Sequence, residues 1–220
     1  MKKAIRALTK SKAAPAGDAR ECLLTTAMRL FSEKGFDTVS VRDICSASKT
    51  NISLVSYYFG GKEGLYRSVL EEHMTRFRSQ LEAAMDRFGN EKMTREVFQR
   101  EIRAIVEVVV QLNIDHPEFG PIMLRERIDK MPHAREIHMR TARPLADRLE
   151  KLMKDAQDAG ILRAGVDGKA FFLSLFEAIW GFLTMHRCMP MIMKDTFKLP
   201  KDKDAYIDFV STLFVQGVLA

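Results

Sequence analysis

Cysteine is scarce in this chain: Cys22, Cys45 and Cys188 are the only three in 220 residues, widely scattered and without a C-x-x-C pair. Too few and too dispersed for a disulfide framework or a zinc site, they read as buried or incidental thiols. Long apolar runs are missing as well. No stretch reaches the ~20 residues that a membrane span needs, and the polar segment Met1 to Gly17 has no apolar core of the secretory kind. The expected location is therefore the cytoplasm, with no membrane partner. Catalytic patterns are absent: there is no H-E-x-x-H, G-x-S-x-G, Walker or dinucleotide-binding arrangement. Gly60-Gly61-Lys62 lacks the rest of a phosphate loop, and His133 and His138 lie five apart, a poor spacing for two ligands on one helical face. No enzyme activity, cofactor or metal is expected. Period-two alternation, internal repeats and low-complexity blocks are also lacking, which leaves an all-α chain, globular by its 46% hydrophobic and 29% charged residues.

What is present begins with charge. Met1 to Lys62 holds eleven Lys and Arg against five Asp and Glu, whereas Glu63 to Ala220 is balanced, so the whole excess of +6 sits in the first part. Lys2, Lys3, Arg6, Lys10 and Lys12 precede any acidic residue. Residues 1–17 thus read as a basic flexible arm, which either reaches a minor groove or serves as a solubilising end.

The organising stretch is Ser40 to Tyr66, SVRDICSASKTNISLVSYYFGGKEGLY. Ser40 with Asp43 has the form of a capping box and predicts a helix start. Val41, Ile44 and Cys45 keep an apolar stripe until Ser48 to Asn51 interrupt it, and Asn51 suits the cap of a second helix, which ends at Gly60. Ile52, Val55 and Phe59 are expected inside; Asn51, Ser53, Leu54, Ser56, Tyr57 and Tyr58 are expected outside. Two short helices around a tight turn, with small and hydroxylic groups outward, form an arrangement that enters a major groove.

Together with the A-x-x-L-F-x-E-K-G-F pattern at Ala27 to Phe36 and G-K-E-G-L-Y at Gly61 to Tyr66, these residues resemble the DNA-binding domain of TetR-type transcriptional regulators. The resemblance runs from about Asp18 to Leu70. Lys49 stands where that family usually has a turn glycine, so the backbone there either accepts a left-handed non-glycine residue or bends differently. From their helical positions, Asn51, Ser53, Leu54, Ser56 and Tyr57 are expected to face the groove and Ser40, Arg42, Tyr58 and Lys62 to grip phosphates; Lys49 and Thr50 in the turn complete the set.

The remaining chain reads as helices. Asp18 caps the first, Lys62 to Phe88 is long and amphipathic, and Thr94 to about Asp115 turns Ile102, Ile105, Val106, Val109 and Leu112 inward. Glu118 to Lys130 is short and interrupted by Gly120-Pro121, and Ala134 to Ala159 is kinked by Pro144. Asp167 caps a helix to about Cys188, and Lys203 to Val218 closes the chain. Apolar residues surround these last two helices almost completely, which requires a second subunit or a ligand beside their own core. The expected architecture is a helix-turn-helix domain at 18–66 and an effector and dimerisation domain at 67–220. Family resemblance implies a homodimeric repressor released from a palindromic operator in double-stranded DNA by a small apolar or aromatic effector. Its pocket candidates are His116, Phe119, Met123, Phe176, Trp180 and Met185, a set that reads equally as plain core. The alternative is a helical interaction or scaffold protein whose basic arm binds acidic partners without sequence choice.

Overall fold

The computed structural model describes residues 16–89 and 91–220. The basic arm therefore lies almost wholly outside the described residues. Among those described there are nine helices, and the only extended pairing is an isolated bridge between Leu162 and Leu219.

The helices are α1 (Ala16–Lys34), α2 (Val41–Ser48), α3 (Ile52–Phe59), α4 (Lys62–Asp86), α5 (Arg95–Asp115), α6 (Phe119–Ile128), α7 (Arg135–Asp158), α8 (Gly168–Cys188) and α9 (Lys203–Gln216). Side-chain caps start four of them, α2, α3, α5 and α8. Thr94 accepts from the Val97 amide at the start of α5, and Asp167 accepts from the amides of Lys169 and Ala170 at the start of α8. α1 starts at Ala16, two residues before the expected cap at Asp18. α6 differs from expectation more clearly, because it is one continuous helix despite Gly120-Pro121. Pro121 falls in its first turn, where an amide would have no helical partner, so its missing N–H costs nothing.

Two cores form, and α4 passes through both. The first gathers Leu23, Ala27 and Phe31 of α1, Ile44 of α2, Val55 of α3, and Leu65 and Leu70 of α4, together with Ile122 and Met123 of α6 and Ile137 of α7. The second joins Leu81 of α4 to Ile102, Ile105 and Val109 of α5, with α7, α8 and α9 supplying Leu149, Leu175, Ile179, Ile207 and Val210. At 1.5 Å per residue the 25 residues of α4 span about 37 Å, enough to serve both ends.

Polar contacts fasten α6 to the first core. The Arg125 guanidinium donates to the carbonyls of Phe31 and Ser32 at the end of α1, at 3.2 and 2.7 Å, where the Gly35 amide also closes on Phe31. Its neighbour Glu126, only 3% exposed, accepts from the Tyr66 hydroxyl and from the amides of His133 and Ala134, and its Oε1 lies 3.0 Å from His133 Nδ1. One carboxylate thereby joins α4, α6 and the start of α7.

α8 is long and apolar enough, by length and composition alone, to cross a membrane, although Lys169, Glu177 and Arg187 interrupt its apolar residues. Here it is a bundle helix. Phe171, Phe172, Leu175, Ile179 and Leu183 are buried in the second core, and Glu177 pairs with Arg127 of α6.

Candidate nucleic-acid interface

The turn between α2 and α3 is built from side-chain bonds. Ser40 Oγ accepts from the Asp43 amide at 3.1 Å while Asp43 Oδ2 accepts from the Ser40 amide at 2.8 Å, a reciprocal capping box. The Ser40 hydroxyl, followed by its amide, holds the Asp43 carboxyl below its usual range. At the far end of α2, Lys49 takes φ 54° and ψ 36°, so a lysine does occupy the left-handed position. Its amide and that of Thr50 close on Cys45 and Ser46 carbonyls, and the hydroxyls of Ser48 and Thr50 lie 2.8 Å apart. Asn51 Oδ1 then accepts from both the amide and the hydroxyl of Ser53 at 2.9 Å, which starts α3.

α3 is held by few contacts. Val55 is its one buried residue, a burial worth roughly 1.5–3 kcal/mol. Leu54, Tyr58 and Phe59 pack part-buried around the same core. This revises three expected orientations: Ile52 is half exposed at 49%, and Leu54 and Tyr58 lean inward. The exposed face consists of Asn51, Ile52, Ser53, Ser56 and Tyr57, the last 79% exposed with its ring edge-on to Tyr58 at 4.9 Å.

Glycine sets how α3 meets α4. Gly60 ends α3 at φ 73°, and a Cβ on Gly64 would lie 1.8 Å from the Phe59 carbonyl oxygen, so only glycine lets the two helices approach this closely. Lys62 stands at the junction with its ammonium 4.3 Å from the Phe36 ring centre and 3.3 Å from the Asp37 carbonyl. Arg42, in the first turn of α2, and Lys49, at its end, are exposed. Ser40, Arg42, Lys49, Thr50, Asn51, Ser53, Ser56, Tyr57 and Lys62 thus fall on α2, α3, the residues that begin and end them and the start of α4, and supply cations, hydroxyls and one amide.

The six effector candidates do not form one group. Met123 is buried in the first core, and is corrected to core packing. Phe119 stacks on His73 at 3.6 Å, and His116 lies edge-on to the same ring at 5.4 Å. Phe176 and Trp180 lie elsewhere, 6.3 and 6.5 Å from Phe77 of α4, with Arg127 5.2 Å over the indole. Met185 is 39% exposed. His73, absent from the expected set, links two of the six; it sits at i+4 from Val69 and i−4 from Phe77, so the apolar stripe of α4 itself pointed to its burial. Among the described residues no group of three or more His, Cys, Asp or Glu is placed to hold a metal ion.

Comparison with known proteins then places the chain. A family model described as "Bacterial regulatory proteins, tetR family" matches residues 23–69, and one described as "Tetracyclin repressor-like, C-terminal domain" matches residues 99–213, more than half of the chain. The HTH-type transcriptional repressor NicS of Pseudomonas putida is 24% identical over 211 residues, covering 94% of this chain and 95% of that protein. The probable HTH-type transcriptional regulator YttP of Bacillus subtilis is 30% identical over 107 residues, 49% of each. Among solved structures, the ketosteroid transcriptional regulator KstR2 of Mycobacterium tuberculosis matches with a TM-score of 0.70 at 14% identity, over 91% of this chain and 95% of that one. The fatty acid degradation regulator FadR from Bacillus halodurans matches at 0.65 and 17%, over 94% and 98%. At those identities the structural likeness is one of fold. With a helix-turn-helix capped at both helices, a larger helical domain behind it and both domain models of one family matched in order, the chain belongs to the TetR family of bacterial transcriptional regulators.

Proposed function

We propose that the protein is a homodimeric repressor, working in the cytoplasm, that binds a palindromic operator and leaves it when a small molecule binds the helical domain. The observation that carries this reading is the exposed face of α3: Asn51, Ile52, Ser53, Ser56 and Tyr57 stand outward on a helix fixed at both ends by its caps. A helix so presented meets base edges in a major groove, and the cations around it meet phosphates. The name of the relative NicS supports repression, since that protein is a transcriptional repressor.

A second copy is supported by apolar side chains left outside on the last two helices. Leu173 of α8 is 65% exposed, and Phe209 and Leu213 of α9 are 52% and 57% exposed. Phe209 and Leu213 are four apart and share a face, so a symmetry-related α9 can cover both. The effector reading draws on Phe77, Phe176 and Trp180, three aromatic rings on α4 and α8 that are only partly buried and suit an apolar or aromatic molecule. α4 connects this region to the DNA-facing helices, so a tilt at one end changes the spacing of two recognition helices at the other.

The test is selection of duplexes from a random pool by the purified protein, followed by a shift assay against competitor DNA. Recovery of a two-fold symmetric site with half-sites about one turn, or a multiple of it, apart is expected. Equal retention of all sequences would instead support a scaffold with a non-specific basic arm.

A further inference from the structure

A small cavity of about 50 Å³ lies between α1 and the middle of α4, where the end of α5 also reaches it. Its apolar wall is Leu24, Met28 and Val69, and its polar groups are Thr25, Glu72, His73, Arg76 and His116. A single water needs roughly 10–15 Å³ of such space, so a group of several atoms fits.

The polar groups are unequally satisfied. Arg76 donates from Nη1 to His116 Nε2 at 2.7 Å and from Nη2 to Glu72 Oε1 at 3.2 Å. A guanidinium only donates, so His116 Nε2 is the acceptor and the ring carries its proton on Nδ1. His73 is different. Only 7% exposed, its ring is held between Phe119 and His116, yet neither ring nitrogen is hydrogen-bonded among the described residues. Burial above all, and then the neighbouring His116 and Arg76, lower its pKa to about 3, so the ring is neutral and keeps one N–H to give. Both nitrogens keep some accessible surface, so an occupant of the cavity can meet them.

The sum of these groups defines the complement. Arg76 has N–H groups beyond the two already used, and His73, the His116 ring and the Thr25 hydroxyl can each donate. The one strong acceptor, Glu72, is already engaged by Arg76. An occupant must therefore bring acceptors. It must also bring little charge, because Glu72 already offsets the Arg76 guanidinium and Leu24, Met28 and Val69 wall the cavity.

We propose that this cavity binds the carboxylate group of a small organic acid, either a free short acid or the charged end of a larger one. The proposal rests on the ligand-responsive reading given above and names the chemistry of the effector. It also places that chemistry at a hinge. Leu24, Thr25 and Met28 belong to α1 of the DNA-facing core, whereas His116 caps the end of α5, a helix of the second, so an occupant bonded to both sides resets how the two meet across α4.

The experiment is calorimetric titration of the full chain, without DNA, with formate, acetate and benzoate, and with chloride and phosphate at matched ionic strength. Formate and acetate report a free short acid, and benzoate the end of a larger one. Saturable binding of at least one carboxylate is expected, weakened about tenfold or more in His73→Phe and Arg76→Gln. Thr25→Val, on the exposed side of α1, should weaken it several-fold with unchanged melting and guards against a folding defect in the other two. Absence of saturable binding, unchanged binding in His73→Phe and Thr25→Val, or chloride and phosphate binding as well as the carboxylates would each overturn the site. Operator release is measured separately. A carboxylate that binds but leaves the operator complex intact removes the effector role and keeps the site, and an unrelated molecule that releases operator from both parent and His73→Phe keeps the regulator and removes this site from its control.

Discussion

The Tyr66 hydroxyl donates to Glu126 Oε1 at 3.0 Å, a bond between side chains sixty residues apart that joins α4 to α6. Burial, and next the Glu126 carboxylate, raise the Tyr66 pKa well above its ordinary value, so the phenol remains a donor at any working pH. Tyr66→Phe removes one bond and should cost ~1 kcal/mol, whereas Glu126→Ala also strands the His133 and Ala134 amides and should cost ~3 kcal/mol or more. Urea unfolding of the two variants checks the difference, and equal costs would mean that the loop amides find other partners.

At the α3 face, Tyr57 is the large exposed side chain best placed to meet a base, whereas Ser53 already spends its hydroxyl on Asn51. Tyr57→Ala should therefore weaken binding to the selected operator by ~1–3 kcal/mol and change random-sequence binding little. Ser53→Ala acts differently, loosening the start of the helix through the cap. A shift assay with matched operator and scrambled duplexes reads the first effect, and an unaltered preference would move the readout to another face.

Stability should depend on pH through Glu101 of α5. Burial first, and then Asp155, raise its pKa from 4.5 to about 7, against an opposing influence of Arg148. The folded state thus holds this proton more tightly than the unfolded chain does. The stabilisation is complete below pH 4.5 and is lost as pH rises toward 7, a loss on the order of 1–3 kcal/mol. Glu101→Gln should raise the urea midpoint at about pH 8 and leave it nearly unchanged at about pH 4.5. A midpoint that moves equally at both values would trace the effect to packing.

Assembly is tested on α9. Phe209→Glu or Leu213→Glu alters an exposed residue, so the subunit should keep its helical content while the dimer separates and tight operator binding disappears. Sedimentation at micromolar concentration distinguishes the two states, and a parent protein that sediments as a monomer would end the dimer reading.

Legibility in the sequence followed the range of the forces involved. The caps at Ser40, Asn51 and Asp167 depend on residues two or three positions away and are found as read, while Asp18 falls two residues inside α1. The inward stripe of α5 was equally plain, with Ile102, Ile105, Val106, Val109 and Leu112 all buried. What the pattern did not carry is which core a stripe joins. Met123 lies on an apolar segment far along the chain and packs with α1, and His73 is polar by type but buried by position. Ile52 shows the opposite error: an apolar residue in the first turn of a short helix had too few neighbours to cover it.

The hold of Arg125 on the end of α1 has a consequence for anyone transplanting modules. Residues 16–70 look like a portable reading head, yet the carbonyls of Phe31 and Ser32 are closed from α6, and Ile122 and Ile137 complete the same core. A chimera that takes this reading head and leaves α6 behind would carry the recognition surface without the Arg125 bonds at the end of α1 and with a core open on one side. The heritable unit of recognition in this chain is discontinuous: a leading segment together with the stretch from Phe119 to Ile137, which a recombination event must move together to move either.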